Sequence, residues 1–591
     1  MPRPLSIPSR LLKSLQIVLL LASAVFLFLH FQHLAADFPN HSPWMDWSKY
    51  TDEGWYGDAA IRHYQRGHWY VRGDFNPAAA LPLWPLLEAI LFRFTGVSLI
   101  AARALTVATF AGILITSYLL LRRWQTLTLH PQPTPTPAPT PAHTTPATPT
   151  PASTTPSPTT PTRPTTLAPA VAVLLLVVSP FCYVFTRLAI LEPVLILLTL
   201  LAFLTVTYTN PPPPNSNPSG FRHLLPTTHY QLPTVLLGLL IPAMVLTKTT
   251  AVFLLPSIAY LLYARAGYRI RPFLRLAIPS LAIAALVWIT YYTLLVRPHF
   301  IEDYRYLFSA NAYTGITPKT ALAVIGRALS DGIWFGALLY PLSLLAALVA
   351  LVEGRLLRNP LIPALLLWAA GYFAFLAYHD NLQPRYYLVI AVPLTLLVPV
   401  VFESFYYLPR ILPSTPHSPR LLAPAAIVVA LIAVVLMDAR HTLYIVRHPE
   451  YTFTTAAANI QRVIAAEPGH PPLVLSISGS DLSLMTGLPS ICDDFGTMTL
   501  SARVALYHPG WYLAWNQLDD DKMDALTPLY HLQRVAEFPA MDDPERNLLI
   551  LYRLDPAAPT KRQPPSRPRR PIPRPLQTTM GQQPSPTQLE H

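Results

Sequence analysis

The chain has 591 residues, of which 52% are hydrophobic and only 12% are charged, and its mean hydropathy is +0.36. Soluble proteins carry charge at about a quarter of their positions, so this composition excludes a string of water-soluble domains and indicates a polytopic membrane protein. The formal charge of +12 does not indicate a nucleic-acid partner. The arginines cluster in the C-terminal tail and in short loops between apolar segments, where the retention of basic loops in the cytoplasm predicts them.

The first 80 residues predict a membrane anchor followed by an ordered loop. An apolar run over 15–29 follows a basic leader that contains Arg3, Arg10 and Lys13. A signal peptide has the same pattern, but we favour a retained first helix because many further spans follow. The segment 36–80 is polar and rich in Trp and Tyr, side chains that settle at the membrane–water interface. It predicts an extracytoplasmic loop that lies against the membrane.

Two of the next segments do not have the composition of an ordinary span. Residues 81–92 are apolar but shorter than the roughly 20 residues that a crossing needs, and they contain Pro82, Pro85 and Glu88. They predict a half-helix or a re-entrant segment. Residues 130–167 form a tract of Pro, Thr and Ala, which is typical of an extended, solvated linker.

Eleven apolar segments predict full crossings. They lie at approximately 15–29, 98–121, 168–186, 188–209, 233–247, 249–265, 273–296, 333–352, 361–378, 387–408 and 421–437. With this count the basic leader, Arg122-Arg123 and the Arg-containing loops 265–275, 355–358 and 410–420 all fall on one side. Basic loops stay in the cytoplasm, so the N-terminus is expected there. The predicted fold class is a polytopic α-helical membrane protein with about 11–13 transmembrane helices.

The pattern changes after Asp438, where the membrane domain 1–438 is expected to end. Strands are expected at 472–478, 511–515 and 547–554, and helices at 453–466 and 519–528. They indicate a small α/β domain over 439–556, outside the membrane by the same count. The basic, Pro-rich tail 557–591 cannot bury enough apolar surface to fold and is predicted to be disordered. Cys182 and Cys492 have no spacing that indicates a disulfide or a metal site.

Ionisable residues near the apolar layer are the candidate functional residues, because each needs a partner, water or a function there. On the predicted outer side they are Asp52, Glu53, Asp58, Arg103, Arg187, Glu192, Lys248, His379, Asp380 and Arg385. Each one alone is explained by a snorkelling side chain or a structural ion pair. Together, acids and bases on one face suggest a site for a lipid phosphate, whose oxygens Lys and Arg would hold. The neighbouring Trp55, Tyr56 and Tyr386 offer flat faces that suit a sugar ring.

An ordered series of short motifs runs through about residues 10–440. It begins with Thr51-Asp52-Glu53-Gly54-Trp55-Tyr56, Ala59-Ala60, Gly67-His68-Trp69 and Phe75-Asn76-Pro77, and continues through Pro82-Leu83-Trp84-Pro85, Phe94-Thr95-Gly96, Ala102-Arg103, Arg187 to Pro193, Leu246-Thr247-Lys248 and Pro384-Arg385-Tyr386. The series resembles the C-type (GT-C) membrane glycosyltransferases, in particular the family 39-like subgroup of protein O-mannosyltransferases and bacterial lipid A aminoarabinose transferases. Each motif alone is weak, and their order carries the resemblance.

The resemblance implies a GT-C fold, a polyprenyl- or dolichyl-phosphate sugar donor, and transfer on the extracytoplasmic face. In the relatives the acidic pair after the first span carries the catalytic carboxylate, which maps onto Asp52. The aminoarabinose transferases have Glu-Lys-Pro where this chain has 79–82 without a lysine, so Arg103, Lys248 or Arg385 would have to bind the phosphate. The His-Pro-Pro-Leu sequence and the repeat-containing lumenal domain of the mannosyltransferases are absent from the sequence. Neither subgroup's acceptor is therefore implied.

The leading hypothesis is an inverting hexosyl- or pentosyltransferase that moves a sugar from a polyprenyl-phosphate-linked donor to an extracytoplasmic acceptor. Asp52 would be the general base, and Glu53 would position the acceptor or tune the pKa of Asp52. The expected phosphate ligands are Lys248, Arg385, Arg103 and Arg187. The expected substrate-binding residues are Trp55, Tyr56, Glu192, His379, Asp380 and Tyr386.

Two other classes stay open. A lipid-linked saccharide transporter or flippase would also need spans, a cationic groove and aromatic side chains, but it has little reason to place adjacent carboxylates in a long outer loop, and transporters often show internal repeats, which this sequence lacks. A non-catalytic assembly or receptor component would use the 439–556 domain to bind a partner.

No cofactor or obligatory metal is predicted. The run Asp519-Asp520-Asp521 lacks the alternating spacing and the Gly turn of a calcium loop, and an acidic helix N-terminus explains it better. The expected partners are the lipid-linked donor, the membrane and an acceptor that is a protein, a lipid or a glycan. The expected location is a bacterial inner or plasma membrane, with a role in the cell envelope, a cytoplasmic N-terminus and an extracytoplasmic C-terminal domain.

Overall fold

A computed structural model describes residues 9–39, 46–129, 166–209, 228–309, 315–330, 336–379, 383–407, 422–541 and 546–557. Asp380 and nearly all of the expected linker 130–167 and tail 557–591 lie outside these ranges. The described chain is a bundle of α-helices that carries one small mixed sheet towards its C-terminal end.

The first half of the described chain is helical apart from short turns. Its α-helices are α1 (Ser9–His30), α2 (Asp52–Arg66), α3 (Leu83–Thr95), α4 (Leu99–Leu129), α5 (Ala168–Val178), α6 (Pro180–Phe185), α7 (Glu192–Thr207), α8 (Thr228–Thr247) and α9 (Leu255–Arg265). A 3-10 turn, Thr249–Leu254, joins α8 to α9. The expected loop 36–80 therefore contains a helix of 15 residues, α2.

The second half contains further membrane helices and the C-terminal domain. Its α-helices are α10 (Ile270–Tyr291), α11 (Ile301–Ser309), α12 (Pro318–Ser330), α13 (Leu339–Val352), α14 (Leu361–Tyr378), α15 (Leu388–Tyr407), α16 (Leu422–Arg447), α17 (Thr452–Ala465), α18 (Gly479–Thr486), α19 (Leu500–Tyr507) and α20 (Asp520–Leu526). A π-helical stretch, Tyr292–Phe300, joins α10 to α11, and a 3-10 turn, Pro384–Tyr387, precedes α15.

The apolar helices match the predicted crossings in number and order. Six are long and apolar enough to cross a membrane: Arg10–His30, Leu99–Gln125, Ile270–Ser309, Leu361–Tyr378, Pro384–Ser404 and Ala425–Ala465. Five apolar helices are shorter: Ala168–Val178, Glu192–Thr207, Leu232–Thr247, Thr249–Arg265 and Leu339–Val352. Among the described residues these eleven correspond one for one to the eleven predicted spans. The segment 81–92 lies in the 13-residue helix α3, and its assignment as a half-helix or re-entrant segment stays a prediction.

Two predicted spans differ from the structure for identifiable backbone reasons. The segment 168–186 is divided at Ser179, whose extended backbone separates α5 from α6. Ser179 precedes Pro180, and the residue before a proline is disfavoured in the helical region. The span predicted to end at 296 continues to Ser309, because the π-helical stretch accommodates Pro298, which lacks the backbone N–H of a regular helix.

The C-terminal sheet has the strand order β2-β1-β3-β5-β4. Its strands are β1 (Val474–Leu475), β2 (Ser490–Ile491), β3 (Trp511–Trp515), β4 (Tyr530–Pro539) and β5 (Leu548–Pro556). β1 pairs in parallel with β2 and β3, and β5 pairs antiparallel with β3 and β4. The strand expected at 472–478 is shorter than predicted, and β2 and β4 were missed. β4 is an edge strand with mostly exposed side chains, so its sequence lacks the apolar pattern of a buried strand.

Helix α2, in the loop 36–80, packs directly against α18 of the C-terminal domain. The backbone N–H of Gly54 donates a hydrogen bond to Asp481 Oδ1 at 2.8 Å. A Cβ atom built at Gly54 would lie 2.1 Å from the carbonyl carbon of Ser480 and 2.2 Å from the backbone nitrogen of Asp481. Only glycine permits this approach, so position 54 fixes the C-terminal domain against the segment that carries Asp52.

The variant Gly54→Ala is expected to weaken this contact, because neither backbone can yield without moving a helix. We expect the free energy of unfolding to fall by about 1–3 kcal/mol, the usual cost of an added methyl group in a packed interior. The measurement is the thermal unfolding midpoint of the full-length protein in detergent. The control is Gly326→Ala in α12, where a Cβ atom meets nothing within 4 Å; equal midpoints for the two variants would contradict the close contact.

Candidate functional site

The first turn of α2 carries two adjacent buried carboxylates, Asp52 and Glu53, whose exposed fractions are 1% and 2%. A helix N-terminus favours negative charge because its unpaired N–H groups and dipole present positive potential. Consecutive helical residues point about 100° apart. As a result the two carboxylates point into different surroundings and have different partners.

Asp52 lies in a buried ion cluster with Arg385 and Asp46. Arg385 Nη2 lies 2.7 Å from Asp52 Oδ2, and Arg385 Nη1 pairs with Asp46 Oδ1. The backbone N–H of Arg385 also donates to Asp46 Oδ2 at 2.8 Å, and Thr51 Oγ1 donates to Asp52 Oδ1 at 3.0 Å. One guanidinium from the turn before α15 therefore holds two carboxylates of the first loop.

Tyr386 joins this cluster to a second ion pair. Lys248 Nζ lies 4.2 Å from the centre of the Tyr386 ring, and the Arg385 guanidinium lies 4.7 Å from it. Cations at such distances are attracted to the electron-rich face of an aromatic ring. Lys248 also pairs with Glu192 at the start of α7, and both side chains are buried. Chain segments far apart in sequence thus place three acids and two bases near one aromatic ring.

The surroundings of Asp52 favour proton exchange at its carboxylate. Burial raises the pKa of Asp52, the Arg385 guanidinium opposes this effect, and the Asp46 charge adds to it. The phenol of Tyr56 is close enough for the Asp52 charge to help burial raise the pKa of Tyr56. The His379 ring lies 6.0 Å from the Tyr386 ring. A carboxylate with a raised pKa is a better proton acceptor at neutral pH than an ordinary aspartate.

Glu53 is bound on a different side of α2, by Arg103. Arg103 Nε donates to Glu53 Oε1 at 2.8 Å, and Arg103 Nη2 donates to Glu53 Oε2 at 2.5 Å. Arg103 Nη1 donates to the carbonyl oxygens of Leu34 and Ala36, and Glu53 Oε1 accepts the Ala189 N–H at 2.7 Å. These contacts occupy most donors of Arg103 and both oxygens of Glu53. We therefore interpret the pair as structural. On the basis of sequence alone, Arg103 is expected to bind the phosphate and Glu53 to position the acceptor.

Arg187 and Trp55 are also held by protein groups. Arg187 donates to the Tyr183 hydroxyl at 2.6 Å and to the carbonyl oxygens of Gln32 and His33 at 2.6 Å each. The Trp55 ring is 6% exposed and lies edge-on to Phe75 and Phe495, with its Nε1 donating to the Ile477 carbonyl. A sugar contact for Trp55 would require these contacts to break, and we interpret Trp55 as structural. Arg187 Nε has no hydrogen-bond partner among the described residues, so a phosphate contact for Arg187 stays a prediction.

The structure thus brings together Asp52, Tyr56, Glu192, Lys248, His379, Arg385 and Tyr386 from the expected site residues, and it places Glu53, Trp55, Arg103 and Arg187 in other contacts. Asp380 lies outside the described residues. Sequence reasoning missed Asp46, although an isolated acid between Trp44 and Trp47 was a visible signal. Within the described ranges no three His, Cys, Asp or Glu side chains are grouped as metal ligands, and the absence of a metal requirement stays a prediction.

No protein-family model matches the chain, and no curated protein does. Among solved structures, ArnT from Cupriavidus metallidurans bound to undecaprenyl phosphate aligns with a TM-score of 0.53 and 14% identity, over 90% of this chain and 97% of its own. The oligosaccharyltransferase AglB from Archaeoglobus fulgidus, in complex with an inhibitory peptide and a dolichol-phosphate, aligns with a TM-score of 0.46 and 13% identity over 84% of this chain and 69% of its own. The arabinofuranosyltransferase AftD from Mycobacteria aligns with a TM-score of 0.45 and 12% identity over 91% of this chain and 40% of its own. The alignment with ArnT shows that this integral membrane protein has the GT-C fold.

Proposed function

We propose that the protein is an inverting glycosyltransferase that moves a hexosyl or pentosyl group from a polyprenyl-phosphate-linked donor to an extracytoplasmic acceptor. The observation that carries the proposal is the cluster in which Asp52 meets Arg385, with Lys248 and Arg385 both against the Tyr386 ring. A base and two cations at the end of membrane helices are the groups that this reaction needs. The fold shared with ArnT in its complex with undecaprenyl phosphate supports a polyprenyl phosphate as the carrier.

Asp52 is the general base in this mechanism. It accepts the proton of the acceptor hydroxyl while that oxygen forms a bond to the anomeric carbon of the sugar. The bond between the anomeric carbon and the phosphate oxygen breaks at the same time, and the lipid phosphate leaves with the electron pair. Attack from the face opposite the leaving group inverts the anomeric centre. Asp52 must come within about 3 Å of the hydroxyl for this transfer.

Lys248 and Arg385 bind the phosphate and stabilise the charge that develops on it. Both cations are neutralised by carboxylates in the described structure, so the site holds them without a bound anion. Arg385 Nε has no hydrogen-bond partner among the described residues, which leaves a donor for a phosphate oxygen. When the phosphate takes up part of the Arg385 charge, Asp52 loses stabilisation of its ionised form and becomes a stronger base.

The remaining polar groups of the cluster are suited to the sugar. Glu192 Oε2 has no hydrogen-bond partner in the described part of the chain, and a carboxylate oxygen accepts hydrogen bonds from sugar hydroxyls. Tyr386 and Tyr56 supply aromatic faces and hydroxyl groups beside it. We keep the location expected from the sequence, a bacterial inner membrane with the site on the outer side, as part of the proposal.

The test is a transfer assay with the full-length protein in detergent, a radiolabelled polyprenyl-phosphate sugar and a mixture of protein, lipid and glycan acceptors. We expect the label to move to an acceptor and free polyprenyl phosphate to appear in equal amount. A parallel assay in vesicles follows the leaflet of the labelled lipid, with protein-free vesicles as the control. Label that changes leaflet without any product would overturn the proposal in favour of a transporter.

A further inference from the structure

A second candidate site lies in the C-terminal domain and shares no residue with the ion cluster. A cavity of about 620 Å³ opens beside the sheet, and its wall includes Asp493, Asp494, Trp515, Gln517, Asp521 and Arg546. Small-molecule sites in proteins typically enclose about 300–1,000 Å³. The proposed reaction at Asp52 does not use any of these residues.

The strand order explains why a cavity forms at this position. β1, β2 and β3 are parallel, and β1 lies between the other two. The chain passes from β1 to β2 in one direction and then returns across β1 to β3, so the order reverses at β1. In open α/β sheets the loops diverge at such a point, and ligands bind in the crevice at the carboxyl ends of the strands. Ile477, Asp493 and Gln517, which follow β1, β2 and β3 respectively, all line the cavity.

The wall of the cavity is acidic and polar. Four aspartates line it, Asp493, Asp494, Asp519 and Asp521, against the two cations Lys522 and Arg546. Lys522 Nζ lies 3.6 Å from Asp494 Oδ1 and 3.5 Å from Asp521 Oδ2, so its charge is already balanced. The surplus of negative charge disfavours a phosphate or another anion.

Asp493 supplies the observation that points to a ligand. Asp493 is only 5% exposed. Its carboxyl group bonds the Tyr512 hydroxyl, but its Oδ1 atom has no hydrogen-bond partner among the described residues. A buried polar atom without a partner is costly, and a ligand hydroxyl in the cavity would satisfy it. Burial raises the pKa of Asp493 to about 7, so at neutral pH this carboxyl both donates and accepts hydrogen bonds, as a hydroxyl-bearing ligand requires.

We propose that this cavity binds a neutral saccharide, and that the saccharide is part of the acceptor. The carboxylates and the Gln517 amide are suited to bond sugar hydroxyls. The link to the acceptor rests on the function proposed above. Tyr50 lies two residues before Asp52, and its ring contacts two wall residues, with the Trp515 ring centre at 6.0 Å and the Arg546 guanidinium at 4.1 Å. The cavity wall thus continues into the segment that carries the base.

The test measures saccharide binding to the full-length protein by saturation-transfer difference NMR. The protein is held in a detergent without a sugar headgroup, since a maltoside would occupy the site. The probes are methyl mannoside, methyl glucoside, galactose, arabinose and N-acetylglucosamine. We expect at least one probe to bind and the double variant Asp494→Ala/Gln517→Ala to weaken its affinity by about tenfold or more, as the loss of hydrogen bonds to a charged and a polar group predicts.

Two control variants separate this site from the ion cluster. Asp520→Ala removes an exposed acid of α20 that is not part of the cavity wall, and Asp52→Asn alters only the proposed base; both are expected to bind the probe normally. Binding that survives the double variant, or that is lost in Asp52→Asn, would overturn the cavity assignment. A panel in which no saccharide binds would also overturn it. Spermidine is added as a cationic control probe, and binding of spermidine alone, lost in the double variant, would assign the cavity to a polyamine instead.

The acceptor link has its own readout. In the transfer assay the double variant is expected to raise the KM for the acceptor and to leave the KM for the lipid donor unchanged. An unchanged acceptor KM would refute the link and leave the saccharide site in place. A protein that binds the probe but transfers no sugar would refute the proposed function and not the binding site.

Discussion

Replacing Asp52 by Asn is expected to lower turnover in the transfer assay by about 10²- to 10⁴-fold, the usual contribution of a general base. The amide has nearly the shape of the carboxylate but cannot accept the acceptor's proton. Arg385 keeps its ion pair with Asp46 in this variant, so no cation of the cluster is left unpaired and the donor should still bind. Turnover and the affinity for the lipid donor are the two quantities to measure.

Asp46→Asn is the matched control for this prediction. Asp46 pairs with the same guanidinium as Asp52 and also accepts the Ser48 N–H at 2.9 Å, but it has no role as a base in the proposed mechanism. We expect a loss of less than about tenfold, which corresponds to one weakened polar contact. Equal losses in the two variants would show that the cluster matters only as a structural unit.

The pH profile tests the same assignment in another way. Transfer requires ionised Asp52, and burial raises its pKa above the ordinary value of 3.8. Activity should therefore fall as the pH is lowered through a pKa higher than that of an exposed aspartate, with one proton taken up per active site. The acid limb should be missing from the residual activity of Asp52→Asn. An unchanged limb in the variant would assign it to another group.

Replacing Arg103 by Met is expected to lower the free energy of unfolding by about 3–5 kcal/mol, the typical effect of removing one partner of a buried ion pair. Glu53 would stay buried in the first turn of α2 with its charge unbalanced, and the carbonyl oxygens of Leu34 and Ala36 would lose their shared donor. The measurement is the unfolding midpoint of the full-length protein in detergent, together with the affinity for the lipid donor.

The double variant Glu53→Gln/Arg103→Met provides the control. It removes both charges, and we expect it to recover a large part of the lost stability, because a neutral side chain can stay buried at lower cost. Donor affinity should stay close to that of the unchanged protein in both variants after correction for the folded fraction. A stable Arg103→Met protein with greatly weakened donor binding would restore Arg103 as a phosphate ligand.

The sequence by itself determined the membrane helices, because each of them is a continuous run of apolar residues. A run of apolar residues near the required length marked the spans around 98–121, 361–378 and 387–408 in nearly the places where the helices lie. The buried strand Trp511–Trp515 was visible for the same reason. The edge strand β4 was not, because its exposed side chains follow no apolar pattern.

Only the tertiary structure decided which charges meet. Asp52 and Glu53 are neighbours in the chain, yet the turn of α2 sends them to Arg385 and Arg103, which are 282 residues apart. On the basis of sequence, every cation on the outer side was an equally good partner for either carboxylate. Ion pairing depends on distance and desolvation, and the order of residues in the chain gives neither quantity. For the same reason the sequence showed an acid at Asp46 but not its partner, which is Arg385 in the turn Pro384–Tyr387.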